Sequence, residues 1–386
     1  MKNKIVLIGA NNYNGLGLVR SFGENGILPY GIIIGREKKG FVEKSKYWKQ
    51  VWFVDDAENV LDVLMDNFSK EEARPVIIPY ADKVVQIFDD LYDTLSQYFI
   101  LSNINEEKGA INAIVNKFDQ VSFAQKLGFA MLESRILSLM SVGEEGEKKF
   151  PLILKPVQGG EGDKHDISIC NNQKEYVNAV ERLQAKGYQR ILEQNYLQDR
   201  EEYVIFGAMD KQYNFCSYTV LRNIRQYPSS YGIGCFSEYI TDDHEVYGFA
   251  KELMIKIMQY GYNGSIDIEL FKSGNGEIYI NEINWRVGGR NFTALDTKNY
   301  STVWWALLQC GEKIDFSLKN IIHNRVGYSM KETEDIKNVL FKQISLKSWC
   351  KDLRKTTSFA VRDKKDKKPV QYLYYQLLKK FLLKRG

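Results

Sequence analysis

The chain has 386 residues, of which 44% are hydrophobic and 26% charged, as expected for a folded protein of two or three domains and not for a disordered one. Five scattered cysteines and only three histidines exclude a disulfide framework, a thiolate zinc site and a histidine-rich metal centre. No apolar run reaches the roughly 20 residues of a membrane span, and no signal-peptide pattern opens the sequence, so we expect a cytoplasmic protein.

Positive charge is concentrated near the C-terminus. Residues 341–386 contain 14 Lys or Arg and 3 Asp or Glu, a net charge of +11, whereas the whole chain carries +4, which leaves −7 for residues 1–340. A nucleic-acid-binding protein usually carries its positive charge on a folded domain, interleaved with aromatic residues. We therefore expect no nucleic-acid partner, and we predict a basic tail attached to a mildly acidic body.

The first hundred residues alternate short apolar runs with helical stretches, which is typical of a parallel α/β sheet. Gly9, Gly15 and Gly17 do not have the GxGxxG spacing of a dinucleotide fingerprint, and Gly35-Arg36 stands where an acidic residue would close the second strand. We therefore favour a tight strand-to-helix turn over a nicotinamide site. The predicted strands are Ile5–Gly9, Tyr30–Ile34, Val51–Val54 and Val76–Pro79.

Two lysines and a glycine-rich tip in the middle of the chain suit nucleotide phosphates. Lys155 ends a predicted strand just before Gly159 and Gly160, and Lys117 stands earlier, in a predicted helix. Lysines neutralise phosphate charge, and glycine N–H groups can cover phosphate oxygens. Each lysine alone is typical of a solvated face, but the group together indicates a nucleotide site. The sequence contains no GxxxxGK[ST] motif, which excludes a P-loop protein.

A predicted hairpin late in the chain carries the most informative polar residues. Strand alternation puts Asp267 and Glu269 on one face of its first strand, and Glu282 and Asn284 on one face of its second. Clustered carboxylate and amide oxygens suit Mg²⁺ bridged to substrate phosphates, and the alternative is a solvated strand face. Arg286 lies two residues beyond Asn284, points the same way and suits an anionic transfer group.

These features, in this order, resemble the ATP-grasp superfamily, and most closely the D-aspartate ligase-like carboxylate–amine ligases, which are related in architecture to the large subunit of carbamoyl-phosphate synthase. The matching segments are Gly15–Gly23, Lys44–Tyr47, Ile78–Asp82, Asn116-Lys117, Leu154-Lys155-Pro156, Glu193–Tyr196, Arg225–Pro228, Asp267–Glu269 and Glu282–Arg286. The resemblance implies an α/β (α+β grasp) fold. Its parts would be a Rossmann-like domain over residues 1–104, a small lid subdomain with its linker helix over 105–195, a large metal and substrate subdomain over 196–330, and a basic helical tail over 331–386.

The resemblance also implies the cofactors ATP and Mg²⁺, with Mn²⁺ as a substitute. Lys155 and Arg286 would be catalytic, and Arg286 would stabilise an acyl phosphate. The magnesium ligands would be Glu282, Asn284 and Glu269, with Asp267 as the alternative to Glu269. The residues that would contact ATP are Lys117, Lys155, Gly159 and Gly160 at the phosphates, Glu193, Gln194, Asn195 and Tyr196 at the adenine hinge, and Glu202 at the ribose.

The implied reaction joins a small-molecule carboxylate to an amine as an amide, through an acyl phosphate, with release of ADP and phosphate. The substrate would be an amino acid or a precursor of a cell-surface polymer or secondary metabolite. A non-catalytic ATP-binding regulatory or assembly subunit and an enzyme that forms carboxy- or carbamoyl-phosphate are the alternatives. Most of the catalysis would be positioning and electrostatics, which needs no cysteine or histidine nucleophile.

Four residues bear on the substrates. Arg222, Arg225 and Arg290 are candidates to hold the carboxylate substrate, because guanidinium groups pair with carboxylates in a bidentate manner. The alternative for each arginine is a surface salt bridge. Trp285 stands where the family usually has a proline, and we expect it to reshape the acceptor pocket.

An apolar stripe on a predicted terminal helix follows the charged linker Arg362–Pro369. The helix would dock on the ligase body or on a partner subunit, with its lysines in solvent. The alternative is reversible attachment to an anionic membrane, which the flanking lysines would favour. A homodimer is also left open. The stripe consists of Val370, Leu373, Tyr374, Leu377, Leu378, Phe381 and Leu382.

Overall fold

The computed structural model describes residues 1–35, 40–139, 148–156, 166–229, 232–314 and 326–383. Gly159 and Gly160, which we predict to cover the phosphates, lie outside these residues. The described strands form a four-stranded parallel sheet, a four-stranded antiparallel sheet and an eight-stranded mixed sheet. The predicted α/β fold class is confirmed.

The N-terminal sheet is parallel, in the order β3-β2-β1-β4. Its strands are apolar runs because helices cover both faces, and each observed strand begins within one residue of its predicted start. Its elements are β1 (Ile5–Ala10), α1 (Tyr13–Glu24), β2 (Tyr30–Ile34), β3 (Gln50–Val54), α2 (Val60–Phe68), β4 (Val76–Pro79), α3 (Asp82–Asp90) and α4 (Tyr92–Leu95).

The glycines of the N-terminal segment serve close packing. A Cβ on Gly9 would enter the ring of Tyr80, and one on Gly15 would lie 2.7 Å from the Tyr80 hydroxyl. A Cβ on Gly17 would lie 2.7 Å from the backbone N of Phe292. The predicted tight strand-to-helix turn is present, because only Asn11 and Asn12 separate β1 from α1, but the three glycines lie in β1 and α1 and are needed for packing. Gly9 and Gly15 make room for the Tyr80 ring, and Gly17 lets α1 approach the chain at Phe292. The first turn of α1 lines the cleft described below.

The four-stranded antiparallel sheet, here the small sheet, has the order β6-β9-β7-β8. Leu152, Leu154 and Ile191 pack against α6, which buries one face of the sheet. A helix capped by the Asn116 side chain precedes it. The elements of this part are α5 (Lys117–Lys126), β6 (Ser134–Ser138), β7 (Leu152–Pro156), β8 (Ser168–Cys170), α6 (Gln173–Ala185) and β9 (Arg190–Asn195).

The eight-stranded sheet, here the large sheet, has the order β14-β13-β10-β11-β12-β15-β16, with β5 paired to β13. Helix α7 packs on one face over a core that includes Leu253, Ile268 and Trp285. The elements are β5 (Asn103–Ile104), β10 (Arg200–Asp210), β11 (Phe215–Tyr227), β12 (Ile233–Tyr239), α7 (Glu245–Tyr260), β13 (Tyr262–Ser273), β14 (Ile278–Asn284), α8 (Ala294–Thr297), α9 (Ser301–Gln309), β15 (Tyr328–Met330) and β16 (Thr356–Phe359).

The C-terminal segment is built into the body of the protein. Arg20 and Asp366 form an ion pair at 3.0 Å, and both side chains are only 1% exposed. Glu332 accepts hydrogen bonds from the backbone N–H groups of residues 360–362. The described part of this segment contains three helices, as expected of a helical tail, and it also supplies β16 to the large sheet, which the sequence did not predict. Its helices are α10 (Glu332–Leu340), α11 (Leu346–Lys355) and α12 (Lys368–Leu383).

The first turns of α12 dock on the body. Val370 and Leu373 pack against the core that joins the N-terminal sheet to α9. The side chains of Leu377, Leu378 and the apolar residues after them lie outside the described part, and attachment to a membrane stays a prediction. Among the helices described, none is both long and apolar enough to cross a membrane.

Candidate active site

The small sheet and the large sheet line a common cleft. A cavity of about 200 Å³, here called the outer cavity, is lined by Lys155 and Glu282, and a second cavity of about 340 Å³, here called the inner cavity, is lined by Arg286. Glu202 and Glu269 line both cavities, so the two are parts of one cleft. The predicted site residues that line it are Lys117, Lys155, Gln194, Asn195, Tyr196, Glu202, Asp267, Glu269, Glu282, Asn284, Arg286 and Arg290.

Strand alternation in the small sheet decides which side chains reach the cleft. Ile153 and Lys155 lie on the cleft face of β7, and Ile153 is paired in register with Gln194 on β9. The Lys155 Nζ donates a hydrogen bond to the Gln194 Oε1 at 2.8 Å. Lys155 is therefore held at the edge of the cleft by the segment that we predict to form the adenine hinge.

Glu193 lies on the opposite face of β9. Its side chain is 5% exposed and accepts hydrogen bonds from the Arg135 Nε at 2.5 Å and the Lys148 Nζ at 3.1 Å. Burial would raise the pKa of Glu193, but the hydrogen bonds from Arg135, Tyr176 and Lys148 outweigh it and lower that pKa. The structure does not place this side chain at the cleft, and any hinge role of Glu193 is limited to its backbone.

The register of β13 and β14 brings the four predicted metal-face residues together. Asp267 is paired with Asn284, and Glu269 is paired with Glu282. Because paired positions two residues apart share a face, all four side chains point to the same side of the hairpin. All four line the cleft, and this prediction from alternation alone is confirmed.

Two lysines meet the carboxylates at this point. The Lys117 Nζ lies 3.1 Å from the Glu282 Oε2. Burial alone would lower the pKa of Lys117, but Glu282 and Glu269 raise it. Burial lowers the pKa of Lys155 well below its usual value, and the like charge of Lys117 lowers it further. Burial would raise the pKa of Glu282, but Lys117 and Lys155 outweigh it and lower that pKa.

Glu269 is a carboxylate that the chain compensates poorly. Burial and the neighbouring carboxylates Glu282 and Asp267 raise its pKa to about 7. The Asn281 amide donates to the Glu269 Oε2 at 3.0 Å, which is its one hydrogen bond from a side chain in the described part. A buried carboxylate beside two others is stabilised by a cation, so the donor set fits a divalent metal ion.

The chain alone does not complete a metal cage. Within the described residues no three acidic, histidine or cysteine side chains converge as a ready metal site. Mg²⁺ usually keeps several water or phosphate ligands and takes only one or two carboxylates from the protein. Glu269 and Glu282, with Asn284 beside them, would hold Mg²⁺ in that manner, and phosphate oxygens would supply the remaining ligands.

Arg286 is held in the cleft by Asp82, an acid that was not predicted as a site residue. Its Nε lies 3.0 Å from the Asp82 Oδ1, and its Nη2 donates to the Asn284 Oδ1 at 3.3 Å. Burial would lower the pKa of Arg286, but Asp82 and Asp267 raise it. Asp82 opens α3 in the N-terminal domain, 204 residues away, and only its place in the matched Ile78–Asp82 segment pointed to it.

Arg290 and Lys331 line the inner cavity. The Arg290 Nη2 donates to the Asn223 Oδ1 at 2.6 Å, and a Cβ on Gly234 would collide with this pair. Burial lowers the pKa of Arg290 and lowers that of Lys331 well below its usual value. Lys331 is not recognisable from the sequence as a site residue, because a single lysine after a short strand belongs to no motif.

Arg222 is paired with acids of the protein. It forms ion pairs with Glu201 at 2.7 Å and Glu238 at 2.5 Å, and its side chain is 36% exposed. It lines neither cavity of the cleft. The structure therefore matches the salt-bridge alternative for Arg222 and does not place it against a substrate.

Arg225 links the large sheet to the C-terminal segment through ion pairs. It contacts Asp335 at 2.7 Å and Asp352 at 2.9 Å, and it lines a third cavity of about 440 Å³ that adjoins the cleft at Glu202. With both acids bound, its guanidinium has a structural role, and the predicted role in holding the substrate has no support in this geometry.

Glu202 stands where all three cavities meet. The Arg200 Nη2 donates to the Glu202 Oε1 at 2.9 Å, and the Arg200 guanidinium stacks on the rings of Tyr196 and Phe271. Glu202 is therefore positioned to accept hydrogen bonds from a ligand that bridges the cavities.

Trp285 lies in the core and not in the acceptor pocket. It is 2% exposed and packs edge-on against Phe123 and Tyr262, with ring centroids 5.5 Å and 4.9 Å away. Because Asn284 and Arg286 face the cleft, strand alternation turns Trp285 to the other side. The expectation that Trp285 reshapes the acceptor pocket is wrong.

Comparisons with known proteins agree on the fold. No sequence-family model matches the chain, and no curated protein sequence matches it either. The biotin carboxylase domain of Hydrogenobacter thermophilus 2-oxoglutarate carboxylase, solved with MgADP, ADP and bicarbonate, has a TM-score of 0.62 at 19% identity, over 85% of this chain and 74% of that one.

Two further solved structures are similar to this chain. Bacillus licheniformis L-amino acid ligase has a TM-score of 0.62 at 14% identity, over 85% of this chain and 79% of that one. Staphylococcus aureus N5-carboxyaminoimidazole synthetase has a TM-score of 0.58 at 13% identity, over 82% and 79%. All three proteins are ATP-grasp enzymes. The chain therefore has the ATP-grasp fold that its sequence motifs resemble.

Proposed function

We propose that this protein is an ATP-dependent carboxylate–amine ligase that forms an amide through an acyl phosphate. The observation that carries the proposal is the cluster of Lys117, Lys155, Glu269 and Glu282 in a cleft between the two sheets of an ATP-grasp fold. These partly buried lysines and carboxylates pair with one another, and a ligand that carries both negative phosphate oxygens and a metal ion would engage both kinds of charge. A nucleotide triphosphate with Mg²⁺ does so, because its phosphates need cations and its metal ion needs anionic oxygens.

ATP would bind with its base beside β9 and its phosphates at the lysines. Gln194, Asn195 and Tyr196 line the outer cavity, where a base and its ribose would lie, and Glu202 is placed to accept ribose hydroxyls. Lys155 and Lys117 would contact phosphate oxygens. Mg²⁺ supplies neutralisation of the phosphate charge when it is bound at Glu269, Glu282 and Asn284.

In the first step a substrate carboxylate oxygen attacks the γ-phosphorus, and the bond from that phosphorus to the bridging oxygen of ADP breaks. The products are an acyl phosphate and ADP. Arg286 lines the inner cavity, where this anionic intermediate would lie, and Asp82 and Asn284 fix its guanidinium. A preorganised cation of this kind stabilises the developing charge without reorganising during the reaction.

In the second step an amine nitrogen attacks the acyl carbon. The bond from that carbon to the phosphate oxygen breaks, the nitrogen loses a proton, and inorganic phosphate leaves with one oxygen of the original carboxylate. This chemistry needs no covalent intermediate on the protein, since positioning and electrostatic stabilisation account for such transfers. The substrates proposed are an amino acid, or a precursor of a cell-surface polymer or secondary metabolite, and an amine.

The test is ADP and phosphate release by the full-length protein with ATP, Mg²⁺, and pools of carboxylates and amines. We expect ADP formation that depends on a carboxylate and increases with an amine. Glu282→Gln assayed in parallel identifies ADP made by a contaminating ATPase, because only the contaminant would survive the substitution. No carboxylate-dependent ADP in any pool would contradict the proposal and favour the non-catalytic alternative.

The same assay with bicarbonate as the only carboxylate distinguishes amide ligation from a second candidate function, the formation of carboxy-phosphate. The similar biotin carboxylase domain was solved with bicarbonate. If bicarbonate without any organic carboxylate supported the full rate of ADP formation, the enzyme would be a carboxy-phosphate-forming one, and the proposed amide ligation would be wrong.

A further inference from the structure

The inner cavity is lined by two buried cations. Arg290 is 3% exposed and Lys331 is 5% exposed, and both line the cavity beside Asp267. Among the described residues, no carboxylate lies within ion-pair distance of either side chain. This is unusual, because buried charges in proteins are normally paired or bind a ligand.

The polar atoms of these cations are only partly satisfied. The Arg290 Nη1 is buried and has no hydrogen-bond partner in the part of the chain that the structure describes. The Lys331 Nζ lies 4.8 Å from the centroid of the Tyr13 ring, which compensates its charge weakly. Each cation also disfavours the charged form of the other, since Arg290 contributes to the lowered pKa of Lys331.

Asp267 lines the same cavity and acts electrostatically on both cations, but in the described part it forms no ion pair with either of them. Burial raises the pKa of Asp267, although Arg286, Lys331 and Arg290 act against it. Its carboxylate shares the hairpin face with Glu269 and Asn284, where the metal is expected. The other charged side chains of the cavity are Glu269, which lies at the expected metal position, Arg286, which is paired with Asp82, and Glu202, which is paired with Arg200.

The backbone leaves room for a ligand at the two cations. Gly289 lines the cavity, and a Cβ on it would lie 3.1 Å from the Asn14 Oδ1 and 3.2 Å from the Lys331 Nζ. A side chain at position 289 would therefore fill the space in front of Lys331. Asn14, in the first turn of α1, supplies an amide at the same place.

We infer that Arg290 and Lys331 form an anion subsite that holds a second acidic group of the carboxylate substrate, so that this substrate carries at least two anionic groups. The inference rests on the proposed function, because it assigns one acidic group to activation near Arg286 and the other to this subsite. A carboxylate or a phosphonate would both satisfy two neighbouring cations. Lys331 is thus a specificity-determining residue from the segment that the sequence analysis treats as a tail.

Binding without turnover tests this subsite. The full-length protein, saturated with Mg²⁺ and a non-hydrolysable ATP analogue, is titrated calorimetrically with butyrate, succinate and 3-phosphonopropionate. We expect at least one dianion to bind about tenfold or more tightly than butyrate, and Lys331→Met to remove most of this preference. Whether succinate or the phosphonate binds better identifies the second acidic group.

Lys355→Met is the matched control. Lys355 belongs to the same C-terminal segment, is 40% exposed and pairs with Asp352 outside the cleft, so its loss should leave the dianion preference intact. Thermal unfolding adds a second readout. Replacing an unpaired buried cation by an apolar side chain of similar shape should leave the melting temperature equal or higher.

Several results would overturn the subsite. They are the absence of tighter dianion binding by the wild type, a preference that survives Lys331→Met, and a large loss of melting temperature in that variant, which would indicate a structural role. Failure of the ligase proposal is distinguishable, since ADP formation is measured separately. Dianion binding that depends on Lys331 but without ADP formation would contradict only the ligase.

Discussion

The charged side chains at the two ends of the cleft differ in whether they are paired within the chain. At the outer end, Lys117, Lys155 and Glu282 compensate one another within the chain, and Lys117 and Glu282 are 3.1 Å apart. At the inner end, which is the inner cavity, Arg290 and Lys331 are buried and have no acid partner among the residues that the structure describes. The comparison teaches that the outer end is charge-balanced before a ligand binds, whereas the inner end is completed by the ligand. Substitutions at the outer end should therefore affect ATP and catalysis, and those at the inner end should affect the choice of substrate.

The largest effect is expected at the outer end, from Glu282→Gln. The substitution conserves volume but removes a charge from the metal face, and we expect carboxylate-dependent ADP formation to fall about 10³-fold or more. Glu277→Gln, in the exposed turn of the same hairpin, is the control and should keep wild-type activity. Near-wild-type turnover by Glu282→Gln with saturating substrates would show that the metal assignment is wrong.

Lys155→Ala should weaken nucleotide binding as well as turnover. A hydrogen bond to a charged group contributes about 1.5–3 kcal/mol, which corresponds to about 10- to 100-fold in the dissociation constant for ATP. Fluorescence titration with a labelled ATP analogue measures it. Lys174→Ala, an exposed lysine on α6, should leave the affinity unchanged. Equal affinity in the two variants would remove Lys155 from the phosphate site.

Glu193→Gln should reduce stability and leave catalysis intact, which separates the structural face of β9 from its cleft face. The loss of a carboxylate bound by Arg135 and Lys148 should cost about 3 kcal/mol of unfolding free energy at pH 7. Because the pKa of Glu193 is lowered in the folded protein, this stabilisation is present above its ordinary value of 4.5 and is lost as the pH falls below it. Denaturant unfolding at pH 7 and pH 3 should show the difference from wild type shrinking. A pH-independent difference would contradict the charge-based explanation.

The smallest effect is expected from Arg222→Ala. Its ion pairs with Glu201 and Glu238 are partly exposed, so the change in unfolding free energy should stay within about 1 kcal/mol. The KM for the carboxylate should not change. A large increase in that KM would restore Arg222 as a substrate residue and would place the carboxylate outside the inner end of the cleft.

The sequence predicted the parts of the molecule where the signal is local. The parallel strands follow from short apolar runs, and the shared face of Asp267, Glu269, Glu282 and Asn284 follows from the period of two along β13 and β14. The order of the lysine, glycine and carboxylate segments was enough to resemble the ATP-grasp fold.

What the sequence could not predict depends on contacts between distant segments. Asp82 meets Arg286 across 204 residues, and Lys331 reaches the cavity because β15 joins the large sheet beside β12. The acids that occupy Arg225 come from α10 and α11. The sequence does not distinguish an arginine in a structural ion pair from an arginine that binds a ligand. Only their partners in the fold distinguish Arg225 from Arg290.

Formation of an acyl phosphate is tested most directly by following one oxygen atom from the carboxylate to the released phosphate. A carboxylate that supports ADP formation is labelled with ¹⁸O in both carboxylate oxygens, and the phosphate released in the presence of the amine is analysed by mass spectrometry. Attack of the carboxylate on the γ-phosphorus predicts one ¹⁸O in each released phosphate. Unlabelled phosphate formed together with ADP would mean that water receives the phosphoryl group, and it would contradict the acyl-phosphate ligase.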